Sequence, residues 1–347
     1  MKPSECLEGL SLHGGWKVKS IIRRLPNSTG GHFSIGYLVE DSTGREAFLK
    51  ALDFSGAFQS PDPPRKLQAM TTAYNFERDL LAKCENRSLR RIVTPISDGT
   101  VNAPGNHGLL GNVPYLIFDL ASGDLRGTVQ KLGAFDLAWS LRTLHQTTIG
   151  LRQLHSVGIA HQDLKPSNVL LFADSGAKVA DLGRASDIAA SSETDRFPIP
   201  GDVGYAPPEQ TYGWRLSSDF YHRYIADLYH LGSMLFFLTC GISATHALHH
   251  KISVAQNKSF TRTDFLRDLP YIENAFVEIL VDLRSTISPY AQDLTDEIVL
   301  IAEQLCQPDP RRRGDSKVRS TLKPQHDLQS YVSRFDRLAR RTELRFK

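Results

Sequence analysis

Apolar and polar positions divide this chain into two regimes. Between residues 16 and 52, short apolar runs (16–22, 33–40 and 47–52) alternate with turn clusters at 26–32 and 41–44. Runs of that length punctuated by Gly, Asn, Ser and Asp predict antiparallel strands, with Asp41-Ser-Thr-Gly44 as a tight hairpin connection. Residues 55–66 hold Pro61, Pro63 and Pro64 and are expected to be irregular, because proline lacks the N–H that a helix or sheet interior uses. From 68 to 84, Leu, Met, Tyr, Phe and Leu recur at helical spacing, which sets one helix among the strands. Residues 92–101 and 113–120 read as further strands, and after Ala121-Ser-Gly123 the period changes to that of helices.

In the second regime, Leu137, Leu141, Leu144, Ile149, Leu151 and Leu154 share one face of a long helix. Loops around two short strand-like runs fill 157–215, and 225–306 reads as several helices. Residues 325–343 repeat apolar positions at Leu328, Tyr331, Val332, Phe335 and Leu338. The longest apolar stretch, 228–242, contains His230, Ser233 and Thr239 and falls short of the roughly 20 apolar residues that cross a bilayer. It predicts a buried core helix and no membrane span. Glu5 and Glu8 interrupt the start, so no export signal is expected there. The organisation expected is an extension at 1–15, a β-rich lobe at 16–120, a helical lobe at 121–318 and a tail at 319–347.

Composition narrows the class. With 41% hydrophobic and 23% charged residues in 347, the chain is an ordinary globular one, about two domains or lobes long. Disorder, collagen and coiled coil are excluded. Cys6, Cys84, Cys240 and Cys306 are scattered, with no C-x-x-C pair, which suits a reducing, cytoplasmic setting better than a disulfide scaffold or zinc site. The formal charge of +3 conceals an asymmetry: residues 311–347 hold 12 basic and 4 acidic residues, against 29 and 34 in the rest. The basic character belongs to the tail. A tail of that kind is open to nucleic acid, an anionic membrane or an acidic partner, but its apolar spacing predicts an amphipathic helix packed on the lobe; nucleic-acid binding is not the expectation, and docking of a partner or substrate is the alternative.

The chemistry concentrates in His161-Gln-Asp-Leu-Lys-Pro-Ser-Asn168, followed 18 positions after Asp163 by Asp181-Leu-Gly183. Upstream lie Glu46-Ala-Phe-Leu-Lys50 and Phe76-Glu-Arg-Asp-Leu-Leu81; downstream lie Gly204-Tyr-Ala-Pro-Pro-Glu209, Asp227-Leu-Tyr-His-Leu-Gly232 and Asp309-Pro-Arg-Arg-Arg313. This series, in this order over residues 16–318, resembles the protein kinase family. The resemblance implies an α+β, bilobal protein-kinase-like fold and Mg²⁺-dependent transfer of the ATP γ-phosphate to Ser or Thr of a protein substrate. It makes Asp163 the acceptor of the hydroxyl proton, Lys165 the cation on the transferring phosphoryl, and Asn168 and Asp181 the magnesium ligands. Lys50 would grip the α- and β-phosphates with Glu77 as its helix partner. Gly31, Phe33, Val39, Ala47, Phe118, Asp119, Ala121 and Leu170 would line the ATP site, with Phe118 as gatekeeper and Asp119 and Ala121 facing adenine through their backbone. His161, Leu182 (for Phe), Gly183, Glu209, Asp227 and Arg313 would hold the architecture, Asp227 through backbone N–H groups of the catalytic loop and Glu209 through Arg313. Asp124 is open to a ribose contact or a helix N-cap, and the cap is the expectation.

Three departures stand out. The phosphate loop G-x-G-x-x-G reads Thr29, Gly31 and Ser34 at its three positions, which implies a weakened lid. Gln162 replaces the arginine that reads a phosphorylated activation loop, so activity is expected not to depend on phosphate at Ser191, Ser192 or Thr194. Asp202 replaces a threonine, where an anion either pairs with Lys165 or repels acidic substrate. The irregular lid and Gln162 leave a pseudokinase open, and the fold is shared by small-molecule kinases of the aminoglycoside-phosphotransferase type. The intact Asp163, Asn168 and Asp181 argue against the first, and Lys165 with the Glu209 and Arg313 pair argues against the second.

Overall fold

The computed structural model describes residues 2–22, 34–105, 108–216, 220–256, 264–318 and 324–345. The chain divides into two compact units, the first made of Met1–Ser88, Val93–Gly123 and Leu170–Asp174, the second of Leu89–Ile92, Asp124–Val169 and Ser175–Lys347.

The first unit is built on an antiparallel sheet of β1 (Lys17–Ile22), β2 (Ser34–Glu40), β3 (Glu46–Leu52), β4 (Pro95–Asn102) and β5 (Asn112–Asp119), in the order β1-β2-β3-β5-β4. Alternation along each strand gives the sheet one closed face, where Val18, Tyr37, Val39, Ala47, Leu49, Val113, Tyr115 and Ile117 form a core. Residues 2–15 cover that face: Leu7 is fully buried, and the Tyr37 hydroxyl donates to the Ser4 carbonyl at 2.7 Å. The segment expected as an extension is therefore part of the first unit's core. One helix, α1 (Pro63–Asn86), accompanies the sheet and buries Met70, Leu80, Leu81 and Cys84. Its start corrects the irregular reading of 55–66. Pro63 and Pro64 occupy the first helical turn, where a missing N–H costs nothing, and Asp62 caps it by accepting from the Arg65 amide at 3.1 Å.

The two-residue strand β6 (Gly123–Asp124) leads into the second unit, with α2 (Leu125–Lys131) and α3 (Leu137–Ser156). Asp124 is the N-cap expected, accepting from the Gly127 amide at 2.8 Å, and Asp136 caps α3 in the same way at 2.9 Å. Short strands β7 (Ile159–Ala160), β8 (Val169–Phe172), β9 (Gly176–Val179) and β10 (Ser186–Asp187) follow, then a single turn α4 (Pro208–Thr211). The helix α5 (Tyr221–Cys240) is buried on nearly every side, as an all-round apolar helix must be. Around it lie α6 (Ala244–Gln256), α7 (Phe265–Cys306, broken at Ala291) and α8 (Gln329–Glu343).

The tail helix α8 packs on α3, burying Tyr331, Phe335, Leu338, Ala339 and Thr342. Arg142 of α3 makes two hydrogen bonds of 2.8 Å to Glu343 and one of 2.8 Å to Asp336. On the outer side, Arg337 reaches Glu297, and Arg341 and Arg345 both reach Asp293. Much of the tail's positive charge is thus matched by carboxylates of its own unit. Among the described residues, no single helix is long and apolar enough to cross a membrane.

Candidate active site

In the first unit, Lys50 lies at the middle of β3, opposite Gly36 on one side and Leu116 on the other. Its Nζ bonds both Glu77 oxygens, at 2.8 and 3.1 Å, so the helix α1 presents the carboxylate that the sequence assigned to it. A strand alternates its side chains, and this overturns two assignments: Ala47 and Val39 are paired in register, fully buried and on the closed face opposite Lys50. The residues on Lys50's face are Phe48, Leu38 and Gly36. A Cβ on Gly36 would stand 2.7 Å from the Phe48 ring, so that ring covers the space a side chain at 36 would take. The family pattern has Val at the first of these positions (G-x-G-x-x-G-x-V) and Ala at the second (V-A-I-K), so large and small residues are exchanged here. Counting back by two from Lys50 finds Phe48 from sequence alone. Phe118, nearly buried, is registered against Phe48; Asp119 ends β5 with its side chain paired to Arg45; Ala121 and Leu170 are half-buried. Gly31 and Phe33 lie outside the described residues.

In the second unit, β7 delivers the chain into the loop 161–168, which hydrogen bonds fix from several sides. Asp227, fully buried on α5, accepts from the amides of His161 and Gln162, each at 2.8 Å, and from His155 Nε2 at 2.9 Å. Burial alone would raise the Asp227 carboxyl; hydrogen bonds from His155 and His230 outweigh it and hold the group well below the usual carboxylate range. His161 accepts the Asp163 amide on Nδ1 at 3.2 Å and directs Nε2 to the Ala180 carbonyl at 3.1 Å, which ties the loop to Asp181-Leu182-Gly183. Leu182, fully buried, fills the place of Phe.

The Asp163 carboxylate receives three donors. Lys165 Nζ approaches Oδ2 at 3.0 Å, Asn168 Nδ2 lies 3.1 Å from the same oxygen, and the Asp202 amide donates to Oδ1 at 2.7 Å. Asn168 Nδ2 also donates to the Asp163 carbonyl at 2.8 Å, so its amide nitrogen faces inward and its oxygen is the atom left for a cation. Gly201 is required here by close approach: a Cβ would stand 2.5 Å from the Gln162 carbonyl and 2.6 Å from Asp163 Oδ1. Asp202, the anion with two expected fates, takes the first: its Oδ2 lies 3.4 Å from Lys165 Nζ. Gln162 and Asp181 both have positive φ, +64° and +61°, a backbone region that a non-glycine residue occupies only when its surroundings fix it. The Gln162 side chain donates to the Arg223 carbonyl at 2.9 Å.

The segment beyond Asp181 closes on a buried ion pair. Arg313, fully buried, bonds Glu209 in a fork at 2.7 and 2.8 Å and also donates to the carbonyls of Gln307, Ile225 and Pro308. Its guanidinium lies over the Tyr229 ring, 5.0 Å from the centroid.

The family model for the protein kinase domain matches residues 65–320. The chain is 26% identical over 229 residues to the serine/threonine-protein kinase PknA of Mycobacterium tuberculosis, covering 65% of this chain and 46% of that protein. It is 30% identical over 150 residues to PknL of the same species, covering 43% and 37%, and 31% identical over 123 residues to an Aurora kinase of Debaryomyces hansenii, covering 35% and 28%. The chain thus matches less than half the length of each of these relatives. The family match begins inside α1, beyond β1–β3, where the lid and the Gly36 and Phe48 exchange depart most from the family pattern. From there it runs through the Asp163 loop and the Glu209 and Arg313 pair, and the chain belongs to the protein kinase family.

Proposed function

We propose that this chain is a serine/threonine protein kinase that transfers the ATP γ-phosphoryl, with Mg²⁺, to hydroxyls of a protein substrate. The observation that carries the reading is the Asp163 carboxylate, held by three donors from Lys165, Asn168 and the Asp202 amide. Phosphoryl transfer asks little covalent chemistry of a protein; it asks for an oriented carboxylate and for cations on the phosphates. Asp163 accepts the hydroxyl proton as the acceptor oxygen bonds to the γ-phosphorus and the bond from that phosphorus to the β–γ bridging oxygen breaks, releasing ADP. Lys165, 3.0 Å from it, neutralises charge on the transferring group. Lys50, held by Glu77, takes the other phosphates.

Mg²⁺ suits the oxygens of Asn168 and Asp181, because it keeps several waters and phosphate oxygens and takes only one or two protein ligands. Bound there, the ion would supply positive charge against the phosphates. The serine/threonine assignment is supported by the names of PknA and PknL and by Lys165, two positions after the catalytic aspartate. A protein acceptor is supported by the Glu209 and Arg313 pair. The four cysteines, none in a disulfide, support a reducing, cytoplasmic setting.

The test is incubation of the purified chain with Mg²⁺ and γ-labelled ATP, alone and with casein, beside Asp163→Asn and Asp181→Ala. Label on Ser or Thr that disappears in both variants is the expected result. Label retained by Asp163→Asn would remove the assigned base. A wild-type chain that is stabilised by ATP yet labels nothing would point to a nucleotide-binding pseudokinase.

A further inference from the structure

Within the second unit, the segment after β10 is folded around one carboxylate. Asp195 Oδ1 accepts from the Ser186 hydroxyl at 2.6 Å and faces Arg223 Nη2 at 3.3 Å, while Oδ2 accepts from the Ser192 amide at 2.8 Å. Its main-chain carbonyl accepts from Arg215 at 3.3 Å. The Asp195 and Arg223 side chains are each only 14% exposed, and the Arg223 guanidinium lies over the Phe220 ring, 4.9 Å from its centroid.

Both sides of this carboxylate lead to the catalytic loop. Ser186, fully buried, pairs with Ala160 across β10 and β7, and the residue that follows β7 is His161. Arg223, through its carbonyl, holds Gln162 at 2.9 Å, one residue before Asp163. Gln162 is uncharged and its amide is engaged, so it is not a reader of a loop phosphate. A fixed carboxylate already occupies the Arg223 guanidinium.

The hydroxyls nearby are employed differently. Ser192 Oγ accepts the Thr194 amide at 3.2 Å and shares a hydrogen bond of 2.8 Å with the Thr194 hydroxyl, and Thr194 is buried. A phosphate on either would add up to two negative charges within one turn of Asp195 and would break the Ser192 cap.

We propose that Asp195 is a positioning residue: through Arg223 and Ser186 it holds the segment 186–200 and the catalytic loop in working register without any modification, and phosphate on Ser192 or Thr194 lowers activity instead of raising it. This rests on the transfer reading above, since its consequence is a turnover. Removing Asp195 takes away an ion pair with Arg223 and two hydrogen bonds accepted by its carboxylate, enough to lower the ordered population about tenfold to a hundredfold.

The experiment compares full-length wild type, Asp195→Ala, Asp195→Asn, Arg223→Ala and the Asp195→Ala/Arg223→Ala double variant. It reads kcat and the KM for ATP on casein, melting temperature, amide exchange without nucleotide, and the phosphate content of the purified chain by mass. Asp195→Ala should lower kcat at least tenfold and leave the KM for ATP within about threefold. Asp195→Asn, which keeps an acceptor for Ser186 but no charge, should fall between. The double variant should be no worse than Asp195→Ala alone, because the two side chains act as one unit. Exchange should rise at 159–163 and 186–196 together. If Asp195→Ala does not fold, Asp195→Asn carries the same criteria. Wild-type kcat and exchange in the variants would overturn the proposal, as would a wild type that carries phosphate at 191, 192 or 194 and loses activity when a phosphatase removes it. A wild type that labels nothing would sink the transfer reading, and the exchange comparison would still decide whether Asp195 is the anchor.

Discussion

Replacing Arg313 by Ala removes the most enclosed cation among the described residues. It strands the Glu209 carboxylate, itself only 5% exposed, and withdraws donors from the carbonyls of Gln307, Ile225 and Pro308. Breaking a buried pair from one side costs roughly 3–5 kcal/mol, because the surviving charge has lost both water and partner. At about 2–4 °C per kcal/mol for a domain of this size, the melting temperature should fall on the order of 6–20 °C. The assay is thermal unfolding by circular dichroism at pH 7 for wild type, Arg313→Ala, Glu209→Ala and the double variant. Each single change should be costly and the double much less than their sum, since it leaves no unpaired ion. The same anchor fixes α4, which follows closely on the Asp202 amide that holds Asp163 Oδ1, so turnover should drop further than stability alone requires. A single variant melting within about 2 °C of wild type, or costs that simply add, would refute the argument that this pair is a coupled buried unit.

Three other expectations follow from particular contacts. Gly201→Ala puts a Cβ against the Gln162 carbonyl and Asp163 Oδ1, so steady-state kinetics should show a loss in kcat of about tenfold or more, and the melting temperature should fall with it because the carbonyl is backbone and cannot swing aside. Gly36→Val should destabilise the first unit by about 1–3 kcal/mol, read in a denaturant titration, because its side chain meets the Phe48 ring; Gly36→Val/Phe48→Ala should recover most of that, and a double variant worse than either single one would sink the exchange argument. Burial, and then the neighbouring His155, push the His326 imidazole down from 6.5 to about 4. Between those values the unfolded chain binds a proton that the folded chain refuses, so this contribution is complete above about pH 6.5 and is lost as pH falls toward 4. His326→Gln should flatten the fall in melting temperature across that window, and an unchanged slope would exclude His326 as its source.

What the sequence made legible follows from range. The strands of the first unit, the helices α3 and α5 and the tail helix rest on local period, and they stand where the period put them. The series from Lys50 to Arg313 was legible as a series, although its members are scattered over 264 positions, because each lies in a short motif of fixed order. The face of a strand is legible and is misassigned by the family motif alone: the resemblance points Val39 and Ala47 toward the nucleotide, whereas alternation from Lys50 assigns that face to Phe48 and, through the pairing of β2 with β3, to Leu38. Long-range partnership was not legible. Nothing near Asp195 in sequence announces Arg223 or Ser186, and nothing in the tail announces that its arginines meet Asp293 and Glu297. The prolines at 63 and 64 misled for a local reason, since they stop a helix from the inside and begin one from its first turn.

The two strained residues show how these levels meet. Gln162 and Asp181 hold left-handed backbone without being glycine, at a cost of order 1–3 kcal/mol each; the first precedes the carboxylate assigned as base, and the second carries the carboxylate assigned to metal. Strain of that kind persists only where surroundings over-determine it. Around Gln162 the surroundings are its amide on Asp227 and its side chain on the Arg223 carbonyl; near Asp181 they include the Ala180 carbonyl on His161 and the fully buried Leu182. Asp227 and Arg223 sit one turn apart on α5, the most buried helix among the described residues. Rigidity is therefore taken from a hydrophobic helix and handed through two polar side chains to a loop that could not hold its own shape. Arg223 is where that support divides, one atom set holding the catalytic loop and the other holding Asp195. A substitution at Arg223 removes the side chain and keeps the carbonyl, so it should disturb the Asp195 segment directly and the catalytic loop only through that segment, whereas a change at Asp227 should reach the catalytic loop directly and the Asp195 segment only through it.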